Sequence, residues 1–308
     1  MGVHKENTFV IFLQKIILSE KLMKLAIVIL NYNSSADCRK CIGFLKQQIG
    51  IEQEIVVVDN CSQENDRKAV ELLCKEQGCT FIANNENGGY NAGNNVGLRY
   101  AAEKGYEFTL IANPDMEFPQ TDYLATLIDK MQEDENIVVC GSDIIGADGI
   151  HQSPMGKDGN WRTSFGWIKD ILNRNRNKKK SDAYDFIDNH KESHYCHKVS
   201  GCCFMVRTSF LRDINFFDEK VFLYCEEAIL SRQVEMAGKR MYYLATAQAV
   251  HRHVKSEKGD PTKRFRAWGK SRCYFIDRYS NDHWLGKQIA KLSMRLYVLV
   301  FTLYNKIK

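Results

Sequence analysis

Polar residues suited to ligand binding follow four short apolar runs of the chain. They are Asn31-Tyr32-Asn33, Asp59-Asn60-Cys61-Ser62, the asparagine- and glycine-rich segment 84–95, and Asn113-Pro114-Asp115. Continuous apolar runs of this length are typical of strands buried on both faces of a parallel sheet. Because ligands bind at the carboxyl ends of such strands, we expect the four segments to converge on one edge of one sheet and form a binding site there.

These segments offer the groups that a nucleotide diphosphate needs. Asp59 is an acceptor suited to the N–H of a pyrimidine base. Gly88 and Gly89 allow the backbone to come close to a ligand, and the helix that follows presents N–H groups to an anion. Asp115 is placed to hold a divalent cation against the diphosphate. Taken singly, such residues are commonly helix caps or plain turns, and only their combination favours a site.

Helix and strand patterns alternate along the first half of the chain. Strands are predicted at 25–31, 54–59, 80–83, 108–112 and 137–141, and helices at 36–49, 64–77, 91–104 and 121–132. The alternation fails from 151 to 198, and regular patterns resume from 199 to about 250. This predicts an α/β fold, with a mostly parallel central sheet flanked by helices and a C-terminal helical extension.

The composition is that of a globular protein with reduced thiols. Of the 308 residues 44% are hydrophobic, and 43 Lys and Arg against 38 Asp and Glu leave a net charge of +5. This excess is too small to indicate nucleic acid binding, and no stretch reaches the ~18 apolar residues that cross a bilayer. The eleven cysteines show no disulfide-like pattern, which indicates a cytosolic protein.

The two ends of the chain are predicted to lie outside the main domain. Residues 1–22 are interpreted as an N-terminal extension, because Met23 directly precedes the first strong strand. Residues 23–256 form the α/β domain, and residues 257–308 form a helical, amphipathic segment.

Two basic segments have alternative interpretations. In the helix predicted at 285–308, an apolar stripe adjoins a basic stripe formed by Lys287, Lys291 and Arg295. Such a helix either docks on the domain core or a partner subunit, or lies in an anionic membrane interface. The basic run at 173–180 is either a solvated loop or a patch that faces an acceptor or a membrane.

Seven motifs in this order resemble the family 2 glycosyltransferases with the GT-A (nucleotide-diphospho-sugar transferase) fold, above all the bacterial rhamnosyltransferase-like branch that builds surface polysaccharides. They are IVILNYN at 27–33, VVVDNCS at 56–62, the segment 87–95 with Gly97, LIANPD at 110–115, SGCCFMVR at 200–207, FDEKVFLYCEE at 217–227 and AVHRH at 249–253. The resemblance runs from about residue 23 to residue 256, and it is more specific for fold and reaction type than for the sugar.

The resemblance implies a role for each matching residue. The implied nucleotide-sugar-binding residues are Asn31, Asn33, Asp59, Asn87, Gly88, Gly89, Asn94, Asn113 and Asp115. Asp115 stands at the last position of the family's metal-binding Asp-x-Asp, whose first Asp is replaced by Asn113. His251 is implied as a further metal ligand, with His253 as the fallback, and the implied cofactor is Mg²⁺ or Mn²⁺.

The family's catalytic base is usually the Asp of a Glu-Asp pair, and here the pair is Glu226-Glu227. Glu227 is therefore the implied base, although its extra methylene would move the carboxylate by about 1.5 Å. Glu226 and Gly201 are implied to bind the acceptor. The alternative is that both acids only stabilise the N-terminus of a helix.

The resemblance implies an inverting transfer of a sugar, with rhamnose as the leading candidate, to a hydroxyl of a glycan or lipid-linked glycan in surface polysaccharide synthesis. The implied donor is dTDP-rhamnose or a UDP-hexose. The implied location is the cytoplasm or the inner face of the plasma membrane, with a membrane surface as a further partner and no nucleic acid.

Three other functions are alternatives to this one. A sugar-phosphate nucleotidyltransferase would carry a Gly-rich loop with Arg and Lys after the first strand, and residues 31–37 have none. A processive polysaccharide synthase would need membrane spans and a Gln-x-x-Arg-Trp signature. The third, a non-catalytic nucleotide-sugar-binding subunit of a polysaccharide assembly complex, stays open as the alternative.

Overall fold

The computed structural model describes residues 24–173, 189–253 and 260–307. The strands are β1 (Lys24–Asn31), β2 (Glu52–Asp59), β3 (Thr80–Ala83), β4 (Phe108–Ala112), β5 (Met116–Glu117), β6 (Ile137–Gly146), β7 (His194–Cys196), β8 (Cys203–Arg207) and β9 (Arg240–His251). The helices are α1 (Ser35–Leu45), α2 (Glu64–Gln77), α3 (Tyr90–Lys104), α4 (Tyr123–Glu133), α5 (Gly166–Asn173), α6 (Thr208–Asp213), α7 (Glu226–Met236), α8 (Pro261–Arg278) and α9 (Trp284–Ile307). The predicted N-terminal extension, and the basic run beyond residue 173, lie outside the described residues.

The strands form one mixed sheet in the order β3-β2-β1-β4-β8-β6-β9-β5, with β7 also paired to β9. The first four strands are mutually parallel. Beyond them, β8 runs antiparallel to β4 and β6, and β5 and β7 run antiparallel to β9. The predicted α/β fold is confirmed. Parallel pairing dominates only in the first half, because only there does a helix join each strand to the next.

Helices cover both faces of the sheet and create two apolar cores. Leu25, Ile27 and Ile29 of β1 belong to a cluster shared with α1, α2 and α4. Val28, on the opposite face, belongs to a second cluster shared with α3, α6 and α7. Burial on both faces explains why the strands are continuous apolar runs. Cys38 lies in the first cluster as a free thiol.

The C-terminal helices pack as a hairpin against the start of α7. Ile229 of α7, Phe275 of α8 and Ala290 of α9 share a third apolar cluster. The predicted last helix is present as α9, and its inner face docks on the domain. None of the described helices is long and apolar enough to span a bilayer.

Candidate active site

The carboxyl ends of β1 and β2 meet at a pair of buried polar residues. Asn31 and Asp59 are neighbours in the sheet register, and both are fully buried. Asn31 Nδ2 donates to Asp59 Oδ1 at 2.9 Å and to Asp66 Oδ2 at 3.0 Å, and its Oδ1 accepts from Ser34 Oγ at 3.0 Å. The amide of Asn31 is thus engaged within the protein, where it holds Asp59 in place. Asn33 lies at the same edge with an exposed side chain.

The glycine pair of the asparagine-rich segment allows a close contact between two loops. Gly89 is left-handed, with φ of 92°, and a Cβ at this position would stand 2.1 Å from the carbonyl oxygen of Phe222. Tyr90 N–H donates to the same carbonyl at 2.9 Å. Asn87 Oδ1 accepts from Gly89 N–H at 2.9 Å and steadies the turn, while Gly88 is half-buried beside it. The close approach at Gly89 is therefore to the protein's own backbone.

The buried asparagines of α3 hold the loop that leads to α7. Asn91 Nδ2 donates to the carbonyl of Asp218 at 2.7 Å, and Asn95 Nδ2 donates to that of Phe217 at 2.9 Å. Asn94 is also buried, and its Nδ2 donates to the carbonyl of Tyr90 at 3.0 Å. Asn91 and Asn95 belong to the segment 84–95 that was predicted to bind a ligand, and in the fold their amides position the loop before Glu226.

A cluster of three metal-ligating side chains forms where β5 pairs with β9. The turn after β4 presents Asp115, and antiparallel pairing of Met116 with His251 brings the end of β9 alongside. His251 Nε2 lies 3.1 Å from Asp115 Oδ1, and His253 Nδ1 lies 3.3 Å from Asp115 Oδ2. Ligand atoms of the three residues all lie within 4.8 Å of one another. This is a candidate cation site.

Mutual attraction dominates the electrostatics of this cluster. Burial would raise the pKa of Asp115, but hydrogen bonds from His251 and His253 and their charges outweigh it and hold the pKa well below its ordinary value. Burial would likewise lower the pKa of His251, yet its hydrogen bonds to Asp115 and Cys202 raise the pKa to about 10. A bound cation would replace the positive charge that His251 supplies to Asp115.

Gln152 orients the imidazole of His251, although no sequence signal marks it. His251 Nδ1 donates to Gln152 Oε1 at 2.8 Å. Because this oxygen can only accept, Nδ1 keeps its proton, and Nε2, the atom next to Asp115, is the one that can release its proton and bind a cation.

Replacing Gln152 with leucine is therefore expected to weaken Mn²⁺ binding by about 10- to 100-fold, as is typical when the partner of a ligating histidine is lost. Isothermal titration of Mn²⁺ measures the effect without any turnover. Gln152→Glu keeps the acceptor and should bind Mn²⁺ at least as well as the unaltered chain. An unchanged affinity in Gln152→Leu would contradict the assigned role.

An open cleft of about 250 Å³ joins Asp115 to the end of β1. Its lining residues are Leu30, Tyr32, Ser34, Asp37, Tyr90, Asn113, Pro114 and Asp115. Tyr90 also lines a narrow, largely apolar pocket together with Gly201, Glu226 and Glu227. Tyr90, which sequence reasoning missed, therefore lies between the cation cluster and the acid pair.

The acid pair begins α7 on a strained turn. Tyr224 and Cys225 are both left-handed, with φ of 72° and 69°. For residues other than glycine this costs on the order of 1–3 kcal/mol each, a strain that is common at active sites. The turn directs Glu226 Oε1 to the N–H of Tyr224 at 2.8 Å and Glu227 Oε1 to the N–H of Gly201 at 3.3 Å.

Burial, and then the negative charge of Glu227, raise the pKa of Glu226 to about 7. A carboxyl group that titrates near neutrality, such as that of Glu226, is suited to proton transfer. Gly201 contacts Glu227 closely, because a Cβ at this position would stand 2.9 Å from Glu227 Oε1. The structure thus brings Gly201, Glu226 and Glu227 together at one end of the site.

Comparisons with known proteins show a family match and a shared fold. The family model "Glycosyl transferase family 2" matches residues 26–214. The chain is 28% identical over 230 residues to the low-salt glycan biosynthesis hexosyltransferase Agl10 of Haloferax volcanii, an alignment that covers 74% of this chain and 66% of that protein. It is 34% identical over 83 residues, 27% of each protein, to the N-acetylglucosaminyl-diphospho-decaprenol L-rhamnosyltransferase of Mycobacterium tuberculosis.

A similar solved structure is the mannosyltransferase PcManGT of Pyrobaculum calidifontis in complex with GDP-Man and Mn²⁺. The TM-score is 0.56 at 14% identity, and the superposition covers 89% of this chain and 69% of that one. At this identity the likeness concerns the fold. The chain spans just under two thirds of the archaeal relative and about a quarter of the mycobacterial one.

Proposed function

The chain belongs to glycosyl transferase family 2 and has the GT-A fold, so it is a glycosyltransferase, and we propose that it transfers the sugar of a nucleotide-diphosphate donor to a hydroxyl of a glycan acceptor with inversion. One observation carries this proposal. A single cleft runs from Asp115 to Tyr90, which also lines the pocket of Glu226 and Glu227. A donor diphosphate held at the first end would place its sugar toward the acids.

The donor end is proposed to hold the nucleotide near Asn33 and Asp59 and the diphosphate near Asp115. Two imidazole nitrogens and a carboxylate fit Mn²⁺ better than Mg²⁺, because Mg²⁺ prefers oxygen ligands throughout. A cation held there would neutralise the charge that develops on the leaving diphosphate. Asn113 lines the same cleft. It puts a neutral amide where the family's Asp-x-Asp has its first carboxylate, so the two histidines are the main partners of Asp115.

The acceptor end is proposed to work by general base catalysis. Glu227, oriented by the N–H of Gly201, accepts the proton of the acceptor hydroxyl. The hydroxyl oxygen then attacks the anomeric carbon opposite the bond to the diphosphate, and that bond breaks. No covalent intermediate is needed. Glu226, whose pKa is raised by burial and by the charge of Glu227, limits the negative charge beside Glu227 when it is protonated.

The substrates are proposed from the functions of the relatives. One relative is a hexosyltransferase of glycan biosynthesis, and another is a rhamnosyltransferase that acts on a decaprenol-linked N-acetylglucosamine. We therefore propose dTDP-rhamnose or a UDP-hexose as donor. The proposed acceptor is a glycan or lipid-linked glycan, met in the cytoplasm at the inner face of a membrane.

A panel of nucleotide sugars tests the proposal. The thermal midpoint of the chain is measured with dTDP-rhamnose, UDP-glucose, UDP-galactose, UDP-N-acetylglucosamine and GDP-mannose, each with and without Mn²⁺. One donor with Mn²⁺ is expected to raise the midpoint, because binding to the folded state stabilises it. The same donor should then release nucleoside diphosphate when acceptor is added. A chain that binds a donor but never releases the diphosphate would instead be a non-catalytic donor-binding subunit.

A further inference from the structure

The outer face of α9 is apolar although it does not face the protein. The exposed fractions of Leu285, Leu292, Leu296, Leu299 and Leu303 are 55%, 55%, 39%, 52% and 50%. These leucines recur at intervals of seven, four, three and four residues, which places them on one side of the helix. The opposite side is buried at Ala290 and Ser293. The helix therefore uses one face for packing and leaves a second apolar face without cover among the described residues.

Helix α5 packs on α9 at Ser293 and Tyr297, which are buried and half-buried and lie outside the leucine stripe. Trp167 Nε1 donates to Ser293 Oγ at 2.9 Å, and the Trp167 ring stacks on Tyr297 with centroids 4.9 Å apart. The same short helix exposes Ile168 by 40% and Leu172 by 76%. These contacts hold α5 against α9, and the exposed apolar side chains of the two helices are together called the α5–α9 face.

The charge of the hairpin identifies the partner of this face. Helices α8 and α9 carry ten basic residues and one acidic residue, a net charge of +9 in 42 residues, whereas the whole chain is only +5. The rest of the chain is therefore net acidic. Exposed Arg295 and Lys306 lie one and two turns from Leu299 and border the leucine stripe. Two copies of the hairpin would repel each other, while a surface of anionic lipid headgroups would be attracted.

We propose that the α5–α9 face docks on the surface of a bilayer that contains anionic lipids. The leucines enter the boundary between headgroups and acyl chains, and the basic residues contact lipid phosphates. The proposal rests on the proposed function in one respect, since it names the surface at which a lipid-linked acceptor would be met.

The docked hairpin would also hold the acceptor end of the site close to the bilayer. Ser271 of α8 donates to the carbonyl of Leu223 at 2.7 Å. Leu223 and its neighbour Phe222 are exposed by 38% and 56%, and they directly precede the strained turn of the acid pair. Two exposed apolar side chains therefore lie between the contact with α8 and the first residues of α7.

Co-sedimentation of the full chain with vesicles tests the proposal. Vesicles of phosphatidylglycerol and phosphatidylcholine are compared with vesicles of phosphatidylcholine alone. The chain is expected to bind the anionic vesicles and to lose affinity at high salt. The double substitution Leu296→Asp and Leu299→Asp should lower that affinity by more than about tenfold, because each leucine would enter the bilayer. Leu172→Asp, on α5, should reduce it independently.

Leu72→Asp is the matched control, because Leu72 is an equally exposed leucine, at 55%, on α2. It should bind vesicles like the unaltered chain, and thermal unfolding verifies that all variants are folded. Donor binding with Mn²⁺ should be unchanged in every variant, which separates a failure of this proposal from a failure of the proposed function. Equal vesicle binding by the double variant and the unaltered chain would overturn the proposal. So would a dimer that the double substitution converts to a monomer without any vesicle binding.

Discussion

Replacing Glu227 with glutamine is expected to lower kcat by about 10²- to 10⁴-fold, the usual contribution of a general base. The amide keeps the size of the side chain and can still accept from the N–H of Gly201. It cannot take the proton of the acceptor hydroxyl. Because Asp115 and the donor cleft are untouched, the dissociation constant of the donor with Mn²⁺ should stay the same. The measurement is kcat with the identified donor, alongside donor affinity from isothermal titration.

Glu226→Gln is the matched control, since it removes the neighbouring carboxylate from the same helix turn. Its kcat is expected to fall far less than that of Glu227→Gln. If Glu226→Gln were the inactive variant and Glu227→Gln retained the rate of the unaltered chain, the base would be Glu226. A third variant, Glu227→Asp, shortens the side chain and tests whether the strained turn positions the longer acid specifically.

The raised pKa of Glu226 predicts how the stability of the protein depends on pH. The pKa of Glu226 rises from 4.5 to about 7 on folding, so the folded state favours the protonated carboxyl. The stability that it contributes is full below about pH 4.5 and is lost as pH rises through 7. Glu226→Gln is neutral at every pH, and should raise the thermal midpoint more at pH 8 than at pH 5. An equal change at both pH values would contradict the raised pKa.

Asp115→Asn is expected to weaken Mn²⁺ binding by more than about 100-fold. Loss of a residue that only orients a metal ligand typically weakens binding by about 10- to 100-fold, and the loss of a ligand should exceed this. The carboxylate is the one acidic member of the cluster with His251 and His253. The remaining imidazoles carry no negative charge to offset that of the cation. Isothermal titration of Mn²⁺ in the presence of nucleoside diphosphate measures the loss, and kcat should fall with it.

Asp37→Asn is the control for this substitution, because Asp37 lines the same cleft and the change of charge is the same. It should bind Mn²⁺ within about twofold of the unaltered chain. Equal losses in Asp37→Asn and Asp115→Asn would mean that the general charge of the cleft, rather than a ligand position, attracts the cation. That result would mean that Asp115 is not a ligand of the cation.

Several parts of this protein could be predicted from the sequence because their signals are local. The strands β1, β2 and β4 are continuous apolar runs. Such a run is the pattern expected of a strand that is buried between two layers of helices. The polar residue at each strand end followed from the same runs, and so did the expectation that Asp115 lies at the edge of the sheet. The antiparallel β8 and the pairing of β5 with β9 have no such signal, since they depend on contacts between distant segments.

What each polar side chain does was decided only by the tertiary structure. Asn31 and Asn91 look like ligand-binding residues in the sequence, but their amides hold Asp59 and the loop at Asp218. Asp115 meets His251 across 136 positions, and His251 meets Gln152 across 99. Hydrophobic periodicity acts within one element and can be read from it, whereas the partner of a hydrogen bond is set by how whole elements pack. The sequence by itself therefore determined the elements and the edge of the sheet where polar groups collect, and the fold decided which of those groups face the cleft.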